Sequence, residues 1–312
     1  AFIPIAAIYQ HYCEGIDRYE TARKARLALH KLKELAPDQA MTWTAQAIVL
    51  RHCDYDKVGA FKAALKAVEL DPNCSEAHLV LCSAYHDQNK IDLSLEQAEL
   101  ARAANPNSLQ PYYFLGKVYQ RIGEFDQAIE AFAKASGENI HDQFEQLEIT
   151  RTYLWMGEYD KAEETALANL QKYTNHMTQV FAGFALAING NYEPALEILQ
   201  ETKHVHELDY VYALLGDRER SYQRIKELQE GEYRHIWWVA NDIGEIYLAL
   251  GEKNKAIESF ETAMSKLQGE ARKAQRISWG MELARNPEYA RIRQDPRFQA
   301  IIAQTGYVEQ AR

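Results

Sequence analysis

Residues 109–142 read LQPYYFLGKVYQRIGEFDQAIEAFAKASGENIHD. Tyr112, Leu115, Gly116 and Tyr119 fall at the i, i+3, i+4, i+7 spacing of one helix face. Gly123 supplies a break where a turn is needed, and Ala128, Phe132 and Ala135 mark the face of a second helix. Small residues at Gly116 and Ala128 let the two helices approach closely, while Tyr119 and Phe132 fill the space beside them. The stretch predicts one helix–turn–helix unit of 34 residues.

The unit resembles the tetratricopeptide repeat, whose pattern is a large apolar residue, Leu-Gly, Tyr, a turn Gly, then Ala, an aromatic residue, Ala and Pro. Tyr112, Leu115-Gly116, Tyr119, Gly123, Ala128, Phe132 and Ala135 match it, and Ile140 stands where the pattern closes with Pro. The resemblance implies an all-α fold, a right-handed α-α superhelix whose first helices line a concave groove. It also implies a non-enzymatic scaffold that binds protein or peptide there.

Laid along the chain, the template gives eight units, 6–39, 41–74, 75–108, 109–142, 143–176, 177–202, 203–236 and 237–270. They stack into one continuous body. Pro37, Pro72 and Pro106 close the first three at nearly constant spacing. The second unit is degenerate, with no Gly in its turn around Cys53 to Asp56, and Asn89 takes the turn of the third. Gly123, Gly157 and Gly190 step by 34 and 33 residues, but Gly216 follows after 26, so the seventh unit needs a shortened first helix, roughly Val205 to Leu215. Residues 271–312 are expected to cap the last repeat with a helix to about Arg285 and shorter helices after Asn286-Pro287 and Asp295-Pro296. The tail, with Asp295-Pro296-Arg297-Phe298 before an apolar helix, resembles segments that follow repeat arrays in bacterial regulators. That resemblance implies the alternative: the sensory C-terminal portion of a larger bacterial transcription activator or nucleotide cyclase.

Composition narrows the function classes. Eight Pro and 15 Gly in 312 residues, with Ala, Leu, Glu, Lys and Gln abundant, favour an all-α chain. A net charge of −10 argues against direct nucleic-acid binding. No apolar run is long enough to span a membrane. The opening AFIPIAAI lacks the basic start of a signal peptide. Cys13, Cys53, Cys74 and Cys82 have no CxxC spacing and are expected as buried thiols, the other reading being a Cys74–Cys82 or Cys13–Cys53 disulfide.

Nothing in the sequence assembles a catalytic motif, and neither a cofactor nor a metal is expected. His204 and His206 form the nearest thing to a metal pair, but i and i+2 diverge on a helix, so solvated histidines are favoured. Family positions that face the ligand, carried over, are Tyr113, Phe114, Lys117, Arg121, Phe144, Arg151, Trp155, Phe181, Phe184, Trp238 and Asn241. Aromatic groups beside cations suit a protein or peptide with apolar anchors and an acidic group. The carboxylate clamp of chaperone adaptors is not matched, since Tyr113, Lys117, Glu148, Met177 and Phe181 occupy its positions.

Overall fold

The computed structural model describes residues 18–136, 142–202, 205–269 and 272–308, and among them every regular element is a helix. Cys13 and His204 lie outside the described residues, as does the first helix expected over Tyr9 to Ile16. By its internal contacts the chain divides into two compact units, Ala1–Glu145 and Gln146–Arg312, where one continuous body is expected from the repeat pattern.

The N-terminal unit contains α1 (Arg18–Leu35), α2 (Ala40–His52), α3 (Lys57–Leu70), α4 (Ser75–Asp87), α5 (Ile91–Ala104), α6 (Gln110–Ile122) and α7 (Phe125–Ala135). The pairs α2/α3, α4/α5 and α6/α7 form hairpins, and α4 also packs on both α2 and α6. The first helices therefore make a row. Close approach within a hairpin depends on its smallest residues: a Cβ placed on Gly116 would lie 2.6 Å from the Phe132 ring, which is fully buried. Gly116→Ala should therefore cost about 1–3 kcal/mol by overpacking, read as a lower denaturant midpoint at unchanged helicity.

The turns explain how the hairpins close. Gly123 sits at φ 87°, a left-handed conformation that ends α6. Asn89 adopts φ 59°, and in the hairpin without a turn Gly it is Tyr55, at φ 55°, that takes the left-handed position. Alanines then form the α2/α3 seam, with Ala45, Ala60, Ala64 and Ala67 almost wholly buried. Cys53, Cys74 and Cys82 are free thiols, which removes the Cys74–Cys82 bridge. Cys82 is buried with its Sγ 3.3 Å from Ser94 Oγ, and burial pushes its thiol up to about 11, so it is inert.

Helix α8 (Asp142–Met156) enters the C-terminal unit at Gln146, and α9 (Tyr159–Lys172), α10 (His176–Ile188), α11 (Tyr192–Gln200), α12 (Val205–Leu214), α13 (Arg218–Glu230), α14 (Trp237–Ala249) and α15 (Lys253–Lys266) follow. Then come α16 (Lys273–Arg285), a 3₁₀ turn (Pro287–Arg291) and α17 (Pro296–Thr305). Helix α12 is short, at 10 residues, which absorbs the 26-residue step between Gly190 and Gly216. It still packs on α10 and α14, so the row of first helices continues through the irregularity. The small-against-large pair recurs as Gly183 on Leu199 and Gly244 on Phe260.

The end of the chain packs on the α14/α15 hairpin. Phe260 meets Tyr289 and Phe298 edge-on at 5.6 and 5.7 Å between ring centroids. Leu267, Trp279, Leu283, Ile292 and Ile301 complete a buried cluster around these rings. Asp295 caps α17 by accepting a hydrogen bond from the Arg297 amide at 2.8 Å.

Candidate functional site

In the N-terminal unit the first-helix row is fixed by polar links between successive repeats. Arg51 Nη2 donates to Asp87 Oδ2 at 3.2 Å, and Lys57 Nζ reaches the same oxygen at 2.9 Å. Arg121 Nη2 donates to Asn89 Oδ1 at 3.0 Å. Arg121 is 5% exposed, so this guanidinium serves the preceding turn. His86 lies among these groups. Burial, with Lys117 and Arg121 nearby, holds its imidazole down to about 4, so it is neutral at physiological pH.

Helix α6 presents the aromatic part of this face. Tyr113 meets Phe114 and Phe132 edge-on, each at 5.8 Å between centroids. Tyr113, Phe114 and Lys117 are all partly exposed, and Lys117 shares a side of α6 with both rings, being four residues from Tyr113 and three from Phe114. Phe144, also partly exposed, lies on α8.

In the C-terminal unit the sequence-assigned side chains meet other parts of the chain. Arg151 Nη1 donates to both carboxylate oxygens of Glu148 at 3.1 Å, and its guanidinium stands over the Phe181 ring at 5.3 Å. Trp155 Nε1 donates to Asn286 Oδ1. Asn241 Oδ1 accepts from Trp279 Nε1 at 2.9 Å, while Asn241 Nδ2 donates to Glu245 Oε1 at 2.8 Å. The Tyr289 hydroxyl donates to that same Glu245 oxygen. Phe184 packs against Tyr210. Trp238 is 41% exposed, with Tyr233 beside it at 6.4 Å. Two of the assigned side chains, Trp155 and Asn241, thus serve the chain's own C-terminal segment.

Asn286, Glu245, Tyr289 and Trp279 are partners that sequence reasoning did not name. The Asn286-Pro287 boundary was a visible signal for where the segment turns. Its contact with Trp155 has no local signature. No cluster of three or more His, Cys, Asp or Glu suited to a metal occurs among the described residues. No helix among them is long and apolar enough to cross a membrane.

Fold and site together define an all-α helix-hairpin repeat protein with a row of first helices in each unit. The tetratricopeptide repeat model matches two stretches of the chain, residues 109–138 and 239–265. Solved structures of low identity share the fold. A tetratricopeptide repeat protein from Parabacteroides merdae is 16% identical with a TM-score of 0.57, over 86% of this chain and 98% of that one. PilF of Pseudomonas aeruginosa is 14% identical with a TM-score of 0.53, over 61% of this chain and 90% of that one. A chain of the APC/C hetero-tetramer Cut9–Hcn1 is 15% identical with a TM-score of 0.54, over 91% of this chain and 46% of that one. No curated protein matches the sequence.

Proposed function

We propose that this chain is a non-enzymatic protein-binding scaffold that holds a peptide segment on the first helices of its N-terminal unit. The observation that carries the reading is the cluster of two aromatic rings and an ammonium on α6. On α6, Tyr113, Phe114 and Lys117 keep partly exposed surface side by side. In the C-terminal unit, Trp155 and Asn241 are hydrogen-bonded to the chain's own C-terminal segment. Two aromatic edges and an ammonium suit a segment with an apolar anchor followed by a carboxylate. The Arg51–Asp87 and Arg121–Asn89 links hold the row in place before binding, which reduces the ordering cost. In the C-terminal unit Trp238 with Tyr233 offers a separate apolar foothold, and Arg151 with Phe181 a cationic one.

The test is a peptide selected from a random library against the whole chain. Tyr113→Ala combined with Lys117→Glu should weaken its binding at least about tenfold, with the circular dichroism spectrum unchanged. Leu100→Ala, on the exposed side of a second helix, should leave binding alone. A selected peptide that binds the double variant as tightly as the native chain refutes the assignment.

A further inference from the structure

The C-terminal unit holds a half-open cavity of about 120 Å³ whose lining includes Tyr159, Tyr192, Tyr210, Leu248, Glu288 and Arg291. Ala187, Ile188, Leu214, Ala249 and Pro287 complete its lining, so its walls are mixed. Voids left between apolar side chains are lined by Leu, Ile or Phe and stay dry. Here three phenol rings, a carboxyl group and a guanidinium converge on one space. The cavity also has depth. Tyr210 and Leu248 are buried, whereas Arg291 is exposed and stands at the mouth.

One unmet hydrogen-bonding demand sits in this space. Glu288 Oε1 accepts from Asn286 Nδ2 at 3.2 Å, but Oε2 is enclosed and has no hydrogen-bond partner in the protein. Leaving a buried polar atom unsatisfied costs about 1–3 kcal/mol, so the group is poised for a partner. Arg291 is three residues on. In a 3₁₀ turn i and i+3 eclipse, which puts both side chains on one side of Pro287–Arg291. They line the same cavity and form no ion pair with one another. The space between them admits a bridging ligand that carries both opposite charges.

We propose that this cavity binds a small free α-amino acid, with its ammonium on Glu288 among the tyrosine rings and its carboxylate toward Arg291. The ring faces add cation–π attraction to the ammonium. Size sets the class: a cavity of about 150 Å³ takes the six heavy atoms of benzene, so this half-open one suits the smallest amino acids, L-alanine having six. A peptide places its terminal charges too far apart to satisfy both groups. This site is separate from the peptide-binding face of the N-terminal unit, and its failure leaves that reading untouched.

Proton linkage gives a second readout. Burial, then the Glu245 charge, pushes the Glu288 carboxyl up to about 8, so it holds a proton at neutral pH. Glu282 adds to this effect and Asn286 opposes it; Arg291 stands at the mouth, and burial holds the Tyr210 and Tyr289 hydroxyls well above their ordinary range. An arriving ammonium restores the ionised form, so binding near neutrality releases a proton.

Isothermal titration calorimetry on the whole chain tests this with L-alanine, L-valine, propionate and ethylamine. At least one amino acid should bind, and the two single-charge probes should bind at least about tenfold more weakly. The binding heat at pH 7 should vary with the ionisation enthalpy of the buffer. Glu288→Gln and Arg291→Gln should each weaken binding by about tenfold or more. Arg291 is exposed, so its variant keeps the native melting temperature and separates lost binding from lost folding. Silence from both amino acids at about 10 mM, or ethylamine or propionate binding as tightly as they do, overturns the proposal. So does unchanged affinity in Arg291→Gln.

Discussion

Phe260→Ala is expected to destabilise the C-terminal unit by about 3–5 kcal/mol. The Phe260 side chain has no exposed surface. One edge of its ring fills the space that Gly244 leaves open on α14, where a Cβ would come within 2.4 Å. Its other contacts are Tyr289 and Phe298, which belong to the segment after the last repeat. Truncation removes the transfer energy of a large ring. It also leaves a hole that neither Gly244 nor the rigid phenol and phenyl rings can fill, so the cavity cost adds in full. The loss should not stay local: Tyr289 positions its hydroxyl on Glu245, and Trp279 joins α16 to Asn241. Thermal unfolding with hydrogen exchange reads the result. The expected outcome is a lower melting temperature with faster exchange in α16 and α17. Unchanged exchange there would separate the segment from the α14/α15 core.

The second large effect is on pH. Glu288 has its carboxyl raised to about 8 by burial first and by Glu245 second, against an ordinary value of 4.5. Below pH 4.5 the group is protonated whether the chain is folded or not. Between 4.5 and 8 the folded chain keeps the proton and the unfolded chain has released it, so stability falls as pH rises. The contribution is fully present below 4.5 and is lost by the time pH has passed through 8. A tenfold difference in proton affinity between the folded and unfolded chain is worth about 1.4 kcal/mol at most. Glu288 keeps some exposed surface, so the loss from pH 5 to 9 is roughly 2–4 kcal/mol. Glu288→Gln should remove this dependence, leaving a melting temperature that exceeds the native one at pH 9 and approaches it at pH 5. Other groups titrate over the same range, so the difference between variant and native chain is the quantity to follow. Parallel pH profiles for the two would mean that Glu288 is an ordinary solvated carboxylate.

The hairpins were legible because their causes are local. A helix face repeats every three or four residues, and Gly116 precedes Phe132 by a fixed two-helix interval that Gly244 and Phe260 repeat. Gly216 likewise announced the short α12 by arriving early. The left-handed Tyr55 was not legible, because a residue with a Cβ gives no sign that its hairpin will force it there. Nor was the fate of Arg121, since a long cation at a ligand-facing position looks the same whether it meets solvent or an Asn89 carbonyl. The contacts of the C-terminal segment were hardest. Trp155 meets Asn286 across 131 residues, and Tyr289 meets Glu245 across 44. Such pairs follow from tertiary packing and carry no period. The Trp155–Asn286 and Trp279–Asn241 pairs commit Trp155 and Asn241 to the chain's own C-terminal segment.

Site-specific photo-crosslinking of the selected peptide tests the central claim most directly. A benzophenone amino acid at Tyr113 keeps an aromatic ring at that position, and the same probe at Leu100 samples the exposed side of a second helix. The proposed binding face predicts a crosslink from position 113 and none from position 100. A crosslink from position 100, with position 113 silent, would place the partner on the opposite helices and contradict it.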